Sequence, residues 1–264
     1  MNPWLALAVL WLLAAALMTL GWQWQRRHAN TGIVDVLWAA GLGGGALWLA
    51  VRGEGAAAPR VLLAVCGALW GWRLARHLWR RVSHEAEDGR YAQMRAHWGG
   101  HQGKLFGFFQ FQAALIVLFA LPFVAVAGNP RSSAPWLLAG ALIWLGSVLG
   151  ESIADAQLAR FRSDPAQRGR TCRRGLWRCS RHPNYFFEWL HWFAYVCFAV
   201  DSPLAWLAWL GPLVMFVFLR FISGIPFTEA QALRTRGEDY RAYQRSTPML
   251  FPWFPKRSRD PRME

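Results

Sequence analysis

Lysine is almost missing from this chain of 264 residues, which has Lys104 and Lys256 beside 27 arginines. Charged residues make up only 17% of the sequence and hydrophobic residues 55%, whereas a soluble domain carries about 25% and about 45–50%. So much apolar sequence excludes an intrinsically disordered chain. The four cysteines are too scattered for a disulfide scaffold, and the spacing of Cys172 and Cys179 fits no zinc ribbon, so we expect no metal site.

Long apolar runs take the place of polar surface. Seven runs can be drawn, roughly 3–22, 32–51, 59–79, 105–127, 134–153, 185–200 and 203–225. A helix of about 20 residues crosses a bilayer core of about 30 Å. The formal net charge of +14 would suit a nucleic-acid binder, but these runs predict an all-α polytopic membrane protein instead. We expect seven transmembrane helices in one domain over residues 1–264, without a nucleic-acid partner.

The basic residues are divided unequally between the two sides of this predicted bundle. Of the 29 Lys and Arg residues, 23 fall in the segments 23–31, 80–104, 154–184 and 226–264, and three fall in the alternate segments. Cytoplasmic loops of membrane proteins carry an excess of Lys and Arg. The distribution therefore predicts an N-terminus outside the membrane and a C-terminus in the cytoplasm.

Several polar residues interrupt the first four runs. Asp35 lies at the start of the second run, where the helix dipole alone would favour an acid. Arg73 and His77 lie one turn apart in the third run and share a face, although basic side chains near a helix end also extend to the interface. Gln112 lies in the fourth run. Since charged groups inside a membrane need a partner or a water-filled cavity, these residues are candidates for a site.

The fifth and sixth runs carry a second polar set. Glu151 and Asp155 are one helical turn apart, and Arg162 continues their face, so an Asp155–Arg162 pair of purely structural value is one interpretation. Pro183 suits a helix start, and the helix after it presents Asn184, Glu188 and His191 as one polar stripe among aromatic residues. A stripe of this kind must face protein, ligand or water.

The cytoplasmic segments combine arginines with acids, an amide and tyrosines. Residues 160–181 contain eight arginines, which attraction to anionic lipid would also explain. Arginine forks suit phosphates, whereas carboxylates and amides suit ribose hydroxyls and carboxamides. The combination predicts a pocket for a phosphorylated nucleotide, although no Rossmann fingerprint or P-loop is present. The glycines of GLGGG (41–45) fit close helix packing better.

The most specific motifs lie between residues 150 and 255. They read FRSDPAQRGR, then GLWRCSRHPNYFFEWLHW, then SGIPFTEAQALRTRGEDYRAYQRSTPMLFPWFP. This part resembles the bacterial branch of the steroid 5-alpha-reductase family, and weaker similarity, including NTGIVDVLWAAG and EAEDGRYAQMR, extends over about residues 30–255. The chain departs from the typical pattern at Gln167, Cys179 and Phe187, where family members usually carry asparagine, tyrosine and glycine.

The resemblance implies a membrane reductase that uses NADPH to reduce the carbon–carbon double bond of an enone, such as a 4-ene-3-oxosteroid taken from the bilayer. It implies a bacterial inner-membrane protein, which we expect to be a monomer among lipids, with the cofactor site in about residues 150–255 facing the cytoplasm. The resemblance implies cofactor contacts from Asp155, Arg162, Asn184 and Glu188. The surrounding motifs add Arg181, His182, Tyr185, Glu229, Tyr240 and Tyr243. We add Glu151 to the predicted cofactor-binding residues because it pairs with Asp155 on one helix face.

Hydride addition to an enone places negative charge on the carbonyl oxygen, which a nearby donor stabilises. We expect Asp35, aided by Arg73 or His77 and by Gln112, to supply that donor, because a carboxyl group in an apolar site can stay protonated. Two other functions remain open. The RHPNY motif and the tyrosine-rich tail are shared with isoprenylcysteine carboxyl methyltransferases, which bind S-adenosylmethionine, and a lipid or sterol binder without catalysis is the third.

Overall fold

The computed structural model describes residues 1–255, and that part of the chain contains helices and no β-strand. The all-α prediction is therefore confirmed. In chain order the α-helices are α1 (Pro3–His28), α2 (Ile33–Arg52), α3 (Ala57–His84), α4 (Gly89–His97), α5 (Gln102–Ala127), α6 (Ala134–Ser163), α7 (Pro183–Leu190), α8 (Trp192–Phe198), α9 (Ala205–Ala208), α10 (Leu210–Val217) and α11 (Ile225–Ser246). Short 3-10 turns cover Pro165–Gln167 and Gly175–Arg178, and a π-helical turn covers Phe218–Ile222.

The chain forms two compact units. The first contains Met1–Ala141 and Tyr195–Gly211, and the second contains Leu142–Ala194 and the described part of Pro212–Glu264. In the first unit α2 packs along α3, and α5 packs against both α1 and α2. The prediction of one domain over residues 1–264 stays a prediction.

Five helical stretches are long and apolar enough to cross a membrane: Pro3–His28, Ile33–Arg52, Gln102–Ala127, Ala134–Ser163 and Ala205–Ser246. They expose large apolar side chains, including Leu12, Val51, Leu142 and Leu213. Water disfavours a surface with so many exposed apolar groups, whereas lipid tails accept it. The chain is therefore an integral membrane protein by its helices and its surface.

The other predicted spans take a different form. Helix α3 is long, with 28 residues, but Arg73, Arg76 and His77 lower its hydropathy, and it is not one of the five stretches. The sixth run forms two short helices that meet at His191, α7 with eight residues and α8 with seven. At about 1.5 Å per residue neither crosses a bilayer core. The predicted seventh run is likewise divided into α9, α10 and the π-helical turn before α11 begins.

The glycines of GLGGG lie where α2 meets α3. A Cβ atom on Gly71 of α3 would lie 2.7 Å from the Cα atom of Gly43 and 2.8 Å from the carbonyl oxygen of Ala39. Such distances leave no room for a side chain, so the two backbones touch. The prediction of close helix packing at this segment is confirmed, as is the prediction of a helix start at Pro183, where α7 begins.

Candidate functional site

In the second unit, α6 and α7 bring together the polar residues that the sequence placed on separate runs. The Asn184 amide donates to Asp155 Oδ1 over 3.3 Å, and one helical turn away the Phe187 ring lies directly on Gly150. Position 150 is thus beside 187 and position 155 beside 184, so the two helices run antiparallel. Glu151 and Glu188 are both buried, with exposures of 6% and 9%.

Phe187 stands where the resembled family usually has glycine, and the structure explains how it is accommodated. A Cβ atom on Gly150 would collide with the Phe187 ring. The absence of a side chain at residue 150 therefore creates the space that the Phe187 ring fills. Phe187 therefore packs directly on α6 at Gly150, and the Asp155–Asn184 hydrogen bond is present beside it.

His191 belongs to the same stripe and is fully buried at the junction of α7 and α8. Its Nδ1 atom lies 2.6 Å from the carbonyl oxygen of Glu188 and 3.9 Å from Glu188 Oε1. Since a carbonyl oxygen only accepts, Nδ1 carries the hydrogen of this bond. The sequence placed His191 on the polar stripe, and the structure gives it the role of a contact to the backbone of Glu188.

Glu229 of α11 is the centre of a second group of contacts in this unit. Its Oε1 atom accepts from His182 Nε2 and from the Tyr240 hydroxyl, both over 3.2 Å, and forms an ion pair with Arg181 Nε at 2.9 Å. Its Oε2 atom accepts from the Gln244 amide over 2.8 Å. Arg181 and His182 therefore join the segment before α7 to Glu229, while Tyr240 and Gln244 contact the same carboxylate from within α11, across its kink at Gly237.

Two tyrosines and a histidine complete this junction. The Tyr243 hydroxyl lies between the carbonyl oxygens of Trp177 and Ser180. The His182 ring stacks on the Tyr185 ring at 5.4 Å, and Tyr185 bonds to Thr228 of α11 over 3.1 Å. Burial lowers the pKa of His182 from 6.5, although Glu229 acts in the opposite direction. His182, Tyr185 and Tyr243, which were predicted to bind cofactor, therefore connect the chain around the start of α7 to α11.

The arginines of residues 160–181 are mostly exposed, and the exposed ones are Arg160, Arg162, Arg168, Arg170, Arg174 and Arg178. Asp155 is hydrogen-bonded to Asn184, and the structural Asp155–Arg162 pair considered from the sequence stays a prediction. Arg173 pairs with Asp239 over 2.9 Å. Burial raises the pKa of the Cys172 thiol, while nearby Arg174, Arg162 and Arg236 act to lower it. This face of the unit can attract anions.

In the first unit, Asp35 lies in the first turn of α2, as expected, with unexpected partners. Its Oδ1 atom accepts from the Tyr91 hydroxyl over 2.6 Å, and Arg90 lies 3.4 Å from Oδ2. Burial raises the pKa of Tyr91 well above its usual value, and the Asp35 charge raises it further. A cavity of about 30 Å³ beside Asp35 and Tyr91 is large enough for water.

The remaining predicted catalytic residues lie on two other helices of the chain. Arg73 is half-buried and His77 exposed on α3, and Gln112 is half-buried on α5. Their catalytic roles stay predictions. Tyr91 was missed as a site residue because nothing in the sequence connects it to a carboxylate 56 positions earlier. The available signal was local: Asp88 caps the helix that begins at Gly89, and a tyrosine follows in its first turn.

A larger apolar groove of about 480 Å³ lies between α1 and α2. Its lining includes Leu13, Leu17, Gly44 and Trp48, and it does not include Asp35. The Trp48 indole N–H already donates to the carbonyl oxygen of Ala6. The groove therefore offers hydrocarbon contact with little polar chemistry.

Comparison with known proteins identifies the family. The family described as "Protein of unknown function (DUF1295)" matches residues 21–247, and the chain belongs to it. The chain is also similar to "Uncharacterized protein C594.04c" of Schizosaccharomyces pombe, with 28% identity over 256 residues that cover 84% of this chain and 73% of the yeast protein. No solved structure matches the chain.

Proposed function

We propose that this DUF1295 protein is an NADPH-dependent membrane reductase of an enone carbon–carbon double bond, with a 4-ene-3-oxosteroid as the first substrate class to test. The observation that supports this proposal most is the hydrogen bond between Asp155 of α6 and Asn184 of α7, beside the buried Glu151 and Glu188. A family that includes steroid 5-alpha-reductase-like proteins supports the same reading.

The side chains of the second unit fit this cofactor in chemical kind. Exposed arginines such as Arg162 suit phosphate oxygens, and a carboxylate with an amide suits ribose hydroxyls or a carboxamide. NADPH when bound supplies a hydride. Glu229, His182 and Tyr243 have a different task in this proposal, since their contacts lie within the protein: they hold the segment before α7 against α11 and so fix the start of the helix that carries Asn184 and Glu188.

The first unit offers a group for the substrate carbonyl. Hydride arrival at the β-carbon of the enone leaves negative charge on the carbonyl oxygen, and a hydrogen-bond donor stabilises that charge. A neutral Asp35 would donate to the Tyr91 oxygen and leave the Tyr91 hydroxyl hydrogen for the carbonyl. We therefore add Tyr91 to Asp35 as a proposed polarising group. Arg73, His77 and Gln112 keep the proposed supporting role.

The cellular setting belongs to the same proposal. We propose seven membrane crossings, an N-terminus outside and a C-terminus inside, with the arginine-rich face in the cytoplasm of a bacterial inner membrane. The substrate would enter from the bilayer, and the cofactor from the cytoplasm. The protein would act as a monomer in one domain.

Thermal unfolding of the detergent-purified protein tests the cofactor. We expect NADPH to raise the midpoint in a concentration-dependent way, because a ligand that binds only the folded state stabilises it by mass action. Asp155→Asn should remove that shift, and Glu238→Gln, which changes an exposed acid of α11, should retain it. Stabilisation by S-adenosylmethionine alone would favour the methyltransferase, and stabilisation by neither cofactor would contradict both enzymes.

A further inference from the structure

The segment Phe251–Pro255 closes the motif that the sequence shares with the resembled family, and the proposed reductase chemistry does not use it. Its backbone is fixed to the loop before α7. The Trp253 amide donates to the carbonyl oxygen of Cys179 over 2.9 Å, and Ser180 Oγ donates to the carbonyl oxygen of Leu250 over 2.8 Å. This segment is therefore held in place within the second unit.

The aromatic side chains of the segment differ in how far they contact the rest of the unit. Phe251 is 52% exposed, and its ring lies 5.5 Å from that of Trp189. Trp253 and Phe254 are 72% and 81% exposed, with their rings 6.2 Å apart. Pro252 and Pro255 restrict the backbone on either side. Two large apolar rings are thus presented outward by a fixed backbone.

Basic residues are close in sequence to this exposed pair and to Cys179, which holds its backbone. Arg178, beside Cys179, is exposed, as is Arg174, and the sequence continues after Pro255 with Lys256, Arg257 and Arg259. Residues 247–259 contain no acid. Tryptophan favours the boundary between lipid tails and water, and clusters of Lys and Arg bind the anionic headgroups found at the same depth. The basic residues and the exposed aromatic rings are therefore complementary to the headgroup region of an anionic membrane.

We propose that Trp253 and Phe254 insert into the headgroup region of an anionic phospholipid bilayer, where Arg178 contacts the lipid phosphates. The segment acts as an interfacial anchor of the second unit. This inference does not depend on the reductase proposal, since it concerns neither cofactor nor substrate.

Site-specific fluorescence tests the anchor. Trp253→Cys and, separately, Phe254→Cys are labelled with an environment-sensitive dye in a background in which the half-buried Cys179 and Cys197 are replaced by serine and alanine. The labelled full-length protein is placed in nanodiscs of neutral phosphatidylcholine or with about one third phosphatidylglycerol. Gln231→Cys, at an exposed position of α11, is the control, and thermal unfolding confirms that each variant is folded.

We expect dye at residues 253 and 254 to emit at shorter wavelength than dye at residue 231 and to be quenched several-fold more by nitroxide-labelled lipid than by aqueous iodide. The difference should be larger in the anionic nanodiscs, and Arg178→Gln should reduce this dependence on lipid charge while Arg245→Gln does not. Dye that is as accessible to iodide as at residue 231 would overturn the proposal. So would dye shielded from both quenchers, which would indicate a protein partner or a second copy, and so would equal insertion in neutral lipid.

Discussion

At the scale of single residues, His182 shows how burial makes stability depend on pH. Burial lowers the pKa of His182 in the folded protein below 6.5, while in the unfolded chain it stays near the unperturbed value of about 6.5. As the pH falls through that value, the unfolded chain binds a proton that the folded protein does not, so the free energy of unfolding decreases. We expect the thermal midpoint in detergent to fall between pH 7 and pH 5.5, and His182→Gln to flatten that part of the curve. An unchanged slope in the variant would assign the pH dependence to another group.

Tyr91 and Asp35 give the sharpest test of the proposed chemistry. Tyr91→Phe removes the hydroxyl that bonds to Asp35 over 2.6 Å and nothing else of the ring. Loss of one donor to a developing oxyanion typically costs about 10²–10³ in kcat, and we expect a loss of that order in NADPH oxidation with a 4-ene-3-oxosteroid. Tyr195→Phe, the same change elsewhere in the first unit, should have little effect. Wild-type turnover in Tyr91→Phe, or in both Asp35→Asn and Asp35→Ala, would dismiss the pair.

The sequence predicted some of these contacts and not others, and there is a physical reason why. Spacings of three and four residues place Glu151 with Asp155 and Asn184 with Glu188, because helical periodicity is written along the chain. The partners of Glu229 and Asp35 come from distant segments, and no periodicity encodes such pairs. Motif resemblance brought His182, Glu229, Tyr240 and Tyr243 to attention, but only the geometry shows that they bond to one another or to the loop backbone.

At the scale of helices, the contact between α2 and α3 depends on the absence of side chains. Gly71→Ala would place a methyl group 2.7 Å from the Gly43 Cα atom, and overpacking of this kind costs about 1–3 kcal/mol. Gly44→Ala is the matched control, because no atom lies within 4 Å of a Cβ atom there. We expect a clearly lower thermal midpoint for Gly71→Ala and an unchanged or raised midpoint for Gly44→Ala. Equal midpoints for the two variants would show that the close contact of α2 with α3 at Gly71 does not contribute to stability.

Helix continuity was harder to predict than helix position. Hydropathy located α1, α2, α5 and α6 within a few residues at their starts, because long apolar runs have few alternatives in lipid. The sixth run is as apolar as the others in its second half, yet the helix is interrupted at His191. Hydropathy reports the preference of side chains for lipid and carries no information on where a backbone turn interrupts a helix.

At the scale of the whole molecule, the distribution of charge discriminates between two ways of crossing the membrane. If only the five most apolar stretches crossed it, with the N-terminus outside, the segments 53–101 and 164–204 would both be external and would carry 13 Lys and Arg residues. If α3 also crosses, and the chain crosses once more in the region of α7 and α8, only three Lys and Arg residues lie outside. Because Lys and Arg concentrate on the cytoplasmic side, we expect the seven-crossing arrangement.

Cysteine accessibility on the two sides of α3 tests this topology directly. Glu54 and Glu85, at the two ends of that helix, are exposed, and none of the four native cysteines is exposed. In intact cells a membrane-impermeant maleimide should label Glu54→Cys, and it should label Glu85→Cys only after the membrane is permeabilised. Labelling of both variants from outside would mean that α3 does not cross, and the arginines of residues 80–95 would then face away from the cytoplasm. In that case Asp35 and Tyr91 would have to be reconsidered as well, because α4 follows the end of α3 directly and would share its side of the membrane.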